Sequence, residues 1–252
     1  MDNIMEVEIG TTLLRGVENL EAAQRTAKEK LAEKLASTDY DAIRNRLQSK
    51  RLDRFMKRAM DIGLSLALIV LLSPMWLVVA IAIRLSSPGP ILFRQKRTGF
   101  NGTTFDFLKF RSMRVNQEDF VKSEELEKLQ ANGVLLKAKR DPRVTAIGAL
   151  LRRTSIDEMS QLINVLKGEM SLVGPRPLVP FMLENHKEFA RVRGLVKPGL
   201  SGLWQIRARR FNTSADFMVE HDLEYIAEFS FLLDLKILLM TVPAVLVGDG
   251  AH

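Results

Sequence analysis

The longest uninterrupted apolar stretch lies early in the chain: residues 62–83 carry no charge over 22 positions. As a straight helix this stretch would be about 33 Å long, enough to cross a bilayer. Ser73-Pro74 divides it. Proline removes the amide that would bond to the Val70 carbonyl and disfavours helical geometry at Ser73, at a cost of about 3 kcal/mol in a helix interior. A sharp bend is therefore predicted, and the Ser73 hydroxyl is a local partner for a carbonyl freed there. The arms on either side, 62–72 and 75–83, each reach only about half way across a bilayer. Arg51, Arg54, Lys57 and Arg58 precede the run, and Arg84, Arg94, Lys96 and Arg97 follow it. Positive charge on both flanks favours both ends in the cytoplasm. This predicts a re-entrant hairpin dipping into one leaflet, with a kinked transmembrane helix as the alternative.

The rest of the pattern is mostly helical. Residues 1–50 are charged, with Leu13, Val17, Leu20, Ala27, Leu31 and Leu35 at three- and four-residue spacings and a break with a fresh cap at Ser37-Thr38-Asp39. Two readings of that apolar face stay open: contact with a partner helix, which would make a homodimer, or packing on the chain's own core. After Ser86-Ser87-Pro88-Gly89-Pro90 the period changes, and residues 91–95 and 104–111, joined through Gly99 and Asn101-Gly102, read as a β-hairpin. Residues 114–139 are mixed-charge and helical with a solvated face. A last apolar stretch, 231–247, is interrupted by Asp234, Lys236 and Pro243 and reads as an interfacial amphipathic helix. The expected fold is mainly α with a small β-hairpin. It divides into a helical extension (1–50), a membrane hairpin with its basic flank (51–86), a catalytic domain (87–215) and C-terminal interfacial helices (216–252).

Composition narrows the chemistry. The chain of 252 residues has no Cys, which removes disulfides, thiolate-bound zinc and cysteine nucleophiles and fits a cytosol-facing protein. His186, His221 and His252 lack the short spacings of a metal site. A net charge of +7 points to anionic lipid, phosphorylated small molecules or nucleic acid. With 7% aromatic residues and no recognition-helix or aromatic-interleaved motif, no nucleic-acid partner is expected.

The cations gather around two short acidic elements. Lys109, Arg111, Arg140, Arg143, Arg152, Arg153 and Arg176 lie in one stretch of sequence with Asp141 and Asp157-Glu158. Guanidinium groups grip phosphate oxygens bidentately, while adjacent carboxylates can hold a divalent metal or attack phosphorus, so the set suits a diphosphate. Surface salt bridges are the competing explanation. Ser155-Ile156-Asp157-Glu158 also has the form of a capping box, which would place both carboxylates in the first turn of a helix, where free amides favour phosphate. Pro175 and Pro177 flank Arg176 and should hold it in a stiff extended loop. A Walker loop, a Gly-x-Ser-x-Gly elbow and a Rossmann fingerprint are all missing, which argues against ATPases, serine hydrolases and nicotinamide enzymes.

Lys109-Phe110-Arg111-Ser112-Met113, Arg140-Asp141-Pro142-Arg143-Val144-Thr145, the Asp157-Glu158 dyad and the segment from Asn164 through Gly174-Pro175-Arg176-Pro177 occur in the order found in the bacterial sugar transferase family. So do the Ser73-Pro74 break and Lys197-Pro198-Gly199-Leu200-Ser201-Gly202-Leu203-Trp204-Gln205. From about Arg54 onward the chain resembles these monotopic polyprenyl-phosphate phosphoglycosyl transferases. The resemblance implies transfer of a sugar-1-phosphate from a nucleotide diphosphate sugar, with uridine the expected nucleoside, to polyprenyl (undecaprenyl) phosphate. It implies Asp157 as nucleophile, Glu158 as a ligand of Mg²⁺, and Arg152 and Arg176 as phosphate contacts. It further implies a bacterial inner-membrane protein facing the cytoplasm that primes surface polysaccharide synthesis. Two departures stand out: a charged extension replaces the several transmembrane helices of many relatives, and Ile206-Arg207-Ala208-Arg209-Arg210 is more basic than the family pattern. The competing function is a non-catalytic membrane scaffold, in which the dyad only caps a helix and no nucleotide is released.

Overall fold

The computed structural model describes residues 39–114, 143–184, 186–208 and 215–246. The apolar face within the first 35 residues, Arg140, Asp141, Arg209, Arg210 and nearly all of the mixed-charge segment lie outside the described residues.

A short helix α1 (Tyr40–Ser49) leads into the long helix α2 (Arg51–Ser86). This is the one described helix long and apolar enough to cross a membrane. The helix continues through Pro74 without the break expected at Ser73-Pro74, and the Ser73 hydroxyl donates to the Val70 carbonyl at 2.8 Å, supplying the local partner expected there. Strands β1 (Leu92–Thr98) and β2 (Thr104–Phe110) form the expected antiparallel hairpin, with β1 running three residues past its predicted end and the other boundaries within one residue. Asn101, at φ 53°, and Gly102, at φ 74°, take the left-handed geometry of its turn.

Four short elements then build the centre of the domain. They are α3 (Ala146–Arg153), a single 3₁₀ segment over Ile156–Gln161, α4 (Leu162–Lys167) and β3 (Ser171–Val173). Helix α5 (Lys187–Arg193) follows, and β4 (Gly199–Ser201) pairs in parallel with β3. The chain closes with α6 (Leu203–Ala208), α7 (Ala215–Glu228) and α8 (Phe231–Leu246).

Both ends of α2 dock on this same domain. Near its start, Lys57 is buried and its ammonium reaches the Val173 carbonyl at 2.8 Å and the Asp234 carboxylate at 2.6 Å. Arg58 donates to the carbonyls of Val165 and Leu166, and Asp61 accepts from the Ser171 hydroxyl and the Leu172 amide. Near its end, Val79 and Ile83 pack with Phe110 and Leu151, and Met75 and Trp76 close over them. The Trp76 and Phe110 rings meet edge to face at 5.6 Å between centroids. A side chain fully buried in such a cluster contributes roughly 1.5–3 kcal/mol. Between the docked ends Ile62, Leu66, Val70, Leu71, Leu77 and Val78 stay exposed.

One expectation is corrected here. Arg111 is not a phosphate ligand at the dyad: it is 4% exposed and its guanidinium donates to the carbonyls of Ile83, Ser87 and Pro88, capping the end of α2. A helix C-terminus leaves carbonyls without intrahelical donors, and a cation there meets both that need and the helix dipole. Arg111→Met should therefore lower the thermal unfolding midpoint, at a cost of roughly 1–3 kcal/mol for buried acceptors left without donors. Turnover per folded molecule should stay within about twofold, since the change touches no phosphate-facing group. Calorimetry and an activity assay on the purified protein check both halves. Asp234, one of the interruptions in the last apolar stretch, is paired inside the protein. It is fully buried against Lys57 and Tyr225, and the exposed side of α8 carries Leu232, Leu235, Leu239, Met240 and Val242.

Candidate active site

Strand β2 brings Lys109 to the dyad, and Asn164 fixes the strand that carries it. The buried Asn164 amide accepts from the Leu108 N–H at 3.2 Å and donates to the Asp106 carbonyl at 2.7 Å, so the Asn-Val-Leu-Lys-Gly motif locks α4 to β2. Lys109 then places its ammonium 2.9 Å from Asp157 Oδ2 and 3.2 Å from Glu158 Oε1, one cation bridging both carboxylates.

The capping box does not form. Thr154 closes α3, and Ser155 turns the chain with left-handed geometry, φ 55° and ψ 16°, without a side-chain cap bond. A capping box needs the Glu side chain to reach back to the Ser amide. Glu158 is committed elsewhere: its Oε1 lies 2.6 Å from Arg176 Nη2 and its Oε2 3.3 Å from Nη1. The dyad therefore sits in a 3₁₀ turn after a tight reversal, not in the first turn of an α-helix. Asp157 is 2% exposed. Burial alone would raise the Glu158 carboxyl, but the charges of Arg176 and Lys109 and their hydrogen bonds hold it far below the usual carboxylate range.

Arg176 is aimed by the loop that holds it. The Gly174 amide donates to Ser201, the Gly199 amide donates to Pro175, and β3 and β4 pair beside them. A Cβ on Gly199 would lie 2.1 Å from the Gly174 nitrogen, so only glycine permits this approach. The Val173 carbonyl just before the loop accepts from Lys57 and from the Tyr225 hydroxyl, which ties the loop to α2 and α7.

Of the remaining sequence candidates, Arg152 donates through Nε to the Ser112 hydroxyl at 2.9 Å from the last turn of α3, just ahead of the dyad. Arg143 takes part in the backbone contact that joins its carbonyl to the Arg114 amide. Pro175 and Pro177 are buried on either side of Arg176. Arg207 is paired bidentately with Glu224, at 2.5 and 2.8 Å. Sequence reasoning missed Ser112 and Asn164, whose hydrogen bonds hold Arg152 and strand β2. Ser112 and Asn164 lay inside quoted motifs, and their buried polar contacts were the signal.

Mg²⁺ fits the donor set in one form only. Among the described residues no three His, Asp or Glu side chains group as an all-protein cage. Two adjacent carboxylates do suit Mg²⁺, which binds through one or two carboxylates together with substrate phosphates. Glu158 would hold it, and its chemistry there would be to offset diphosphate charge.

Asp157 is buried and Glu158 partly buried, one lysine, Lys109, bridges the two carboxylates, and Arg176 clamps Glu158 from a glycine-proline loop. The chain matches the family model for the bacterial sugar transferases over residues 52–248. It belongs to that family. It is 47% identical, over 65% of its length, to 36% of a galactosyl transferase, CpsE, from Streptococcus agalactiae. It is 42% identical, over 79% of its length, to 42% of the UDP-glucose:undecaprenyl-phosphate glucose-1-phosphate transferase of Escherichia coli. The exopolysaccharide production protein PSS of Rhizobium leguminosarum is 40% identical over its whole length and 79% of this chain. The chain thus spans less than half of the first two relatives and all of the third.

Proposed function

We propose that this protein transfers a sugar-1-phosphate from a nucleotide diphosphate sugar, a UDP-sugar by analogy with the Escherichia coli relative's name, to polyprenyl phosphate. The observation that carries this reading is the buried Asp157 carboxylate set beside Glu158 with Lys109 between them. An Asp157 oxygen attacks the phosphorus that bears the sugar. The bond to the bridging oxygen breaks, its electron pair leaves with the nucleoside monophosphate, and an aspartyl phosphosugar remains. An oxygen of polyprenyl phosphate then attacks the same phosphorus, giving polyprenyl diphosphate sugar and restoring the carboxylate. Lys109 and Arg176 balance negative charge around the phosphorus as each bond forms. With a panel of nucleotide diphosphate sugars and undecaprenyl phosphate, the purified protein should release nucleoside monophosphate from one donor far faster than from the rest. No release from any donor would favour the scaffold reading.

A re-entrant helix suits this chemistry, because the site must meet a soluble donor and a lipid acceptor. The docking of both ends of α2 on one domain, with exposed apolar side chains between, supports that topology. Single cysteines near Arg54 and Arg94 should label only from the cytoplasmic side, and labelling of either from outside would sink the hairpin. Pro74→Leu should shift part of the population to a full span, since it restores the missing helical bond.

A further inference from the structure

Arg193, at the end of α5, and Asp222, on α7, lie outside the dyad and are 8% and 2% exposed. Arg193 Nη2 stands 3.4 Å from Asp222 Oδ2, and the same nitrogen donates to the backbone carbonyl of Arg176. The guanidinium also lies over the Phe189 ring, 5.1 Å from its centroid. Burial pushes the Asp222 carboxyl up to about 6 against the opposing pull of Arg193. Taking two charges out of water costs several kcal/mol per ion before their attraction offsets it, so such a pair is weak evidence for stability alone.

What the pair holds gives it a purpose. Pro175 and Pro177 restrict the backbone on both sides of Arg176, and the Gly199 and Ser201 bonds fix the loop on its β4 side. The Arg193 bond to the Arg176 carbonyl fixes the peptide unit from which the guanidinium projects onto Glu158. We infer that the Arg193–Asp222 pair is a positioning device that sets the Arg176 fork for Glu158 and the donor diphosphate, acting through the Arg176 backbone and not by touching substrate. The inference rests on the phosphotransfer reading above.

A double-mutant cycle tests it, with nucleoside monophosphate release as readout. Arg193→Met should lower kcat by about 10–100-fold, the scale of a misplaced or unsupported contact group, while KM for the donor moves far less. Asp222→Asn keeps the shape and leaves Arg193 free to bond the carbonyl, so its loss should be smaller. In an Arg176→Ala background both losses should shrink to within about twofold, because nothing is left to aim. If Arg193→Met does not fold, Asp222→Asn carries the cycle alone. Equal losses with and without the Arg176 side chain, or wild-type turnover in the single variants, would overturn the inference. Failure of the wild-type protein to release nucleotide would strike the reaction itself and not this pair.

Discussion

Asp157→Asn should abolish transfer, with kcat down by at least about 10⁴-fold, the scale seen when a nucleophile is removed. Asparagine keeps the shape of the side chain, and Lys109 keeps Glu158 as a partner at 3.2 Å, so the protein should remain folded and membrane-bound. The half-reaction discriminates more sharply than the overall rate. In the covalent mechanism the wild-type protein exchanges labelled nucleoside monophosphate into nucleotide sugar without any lipid acceptor, because the first step is complete before polyprenyl phosphate enters. The Asn variant should show no exchange. Mass spectrometry should find a phosphosugar on the wild-type peptide containing Asp157 when lipid is withheld. Full transfer with neither exchange nor adduct would instead indicate direct attack by polyprenyl phosphate in a ternary complex.

The charged groups of the candidate site were more legible in the sequence than its scaffolding. The uncharged run with its Ser73-Pro74 punctuation, the Asn101-Gly102 turn and the basic cluster around the dyad are local signals, set by proline geometry, turn preference and charge. Partners distant in sequence carry no such signal. Lys57 read as one of several flanking cations, yet it meets Asp234 across 177 positions and is buried there. Asp234 read as an interruption because an acidic residue in an apolar helix looks solvent-facing until its cation is known. Arg111 looked like a phosphate ligand because motif spacing reports residue type and not direction, and its side chain turns to the end of α2. Ser155 failed as a cap for a related reason: the glutamate three residues on had stronger partners in Lys109 and Arg176 than a backbone amide.

Glu158 should behave differently from Asp157, and its pH dependence tells the two roles apart. Its carboxyl is held far below its ordinary value, so it remains ionised wherever the enzyme is assayed, and the acid limb of activity should not arise from its protonation. Glu158→Gln keeps the size and removes the charge on which Arg176 and Lys109 converge. Transfer and exchange should both fall, by about 10²–10³-fold, the scale for losing one preorganised electrostatic contact, without being abolished. Raising Mg²⁺ should restore part of each if Glu158 is one of its ligands. Stability adds a readout that does not depend on turnover. A carboxyl whose pKa is lower folded than unfolded stabilises fully above its unfolded value of about 4.3, and loses that contribution as pH falls towards the folded value. The wild type should therefore melt above Glu158→Gln at pH 7, and the gap should narrow below about pH 4 as the unfolded chain takes up its proton. Arg176→Lys should narrow that gap at pH 7, because a lysine cannot supply both bonds of the fork to the Glu158 oxygens. A gap that is constant from pH 7 to 3 would mean that the Glu158 charge has no favourable partners in the folded protein, and the clamp between Arg176 and the dyad would have to be abandoned.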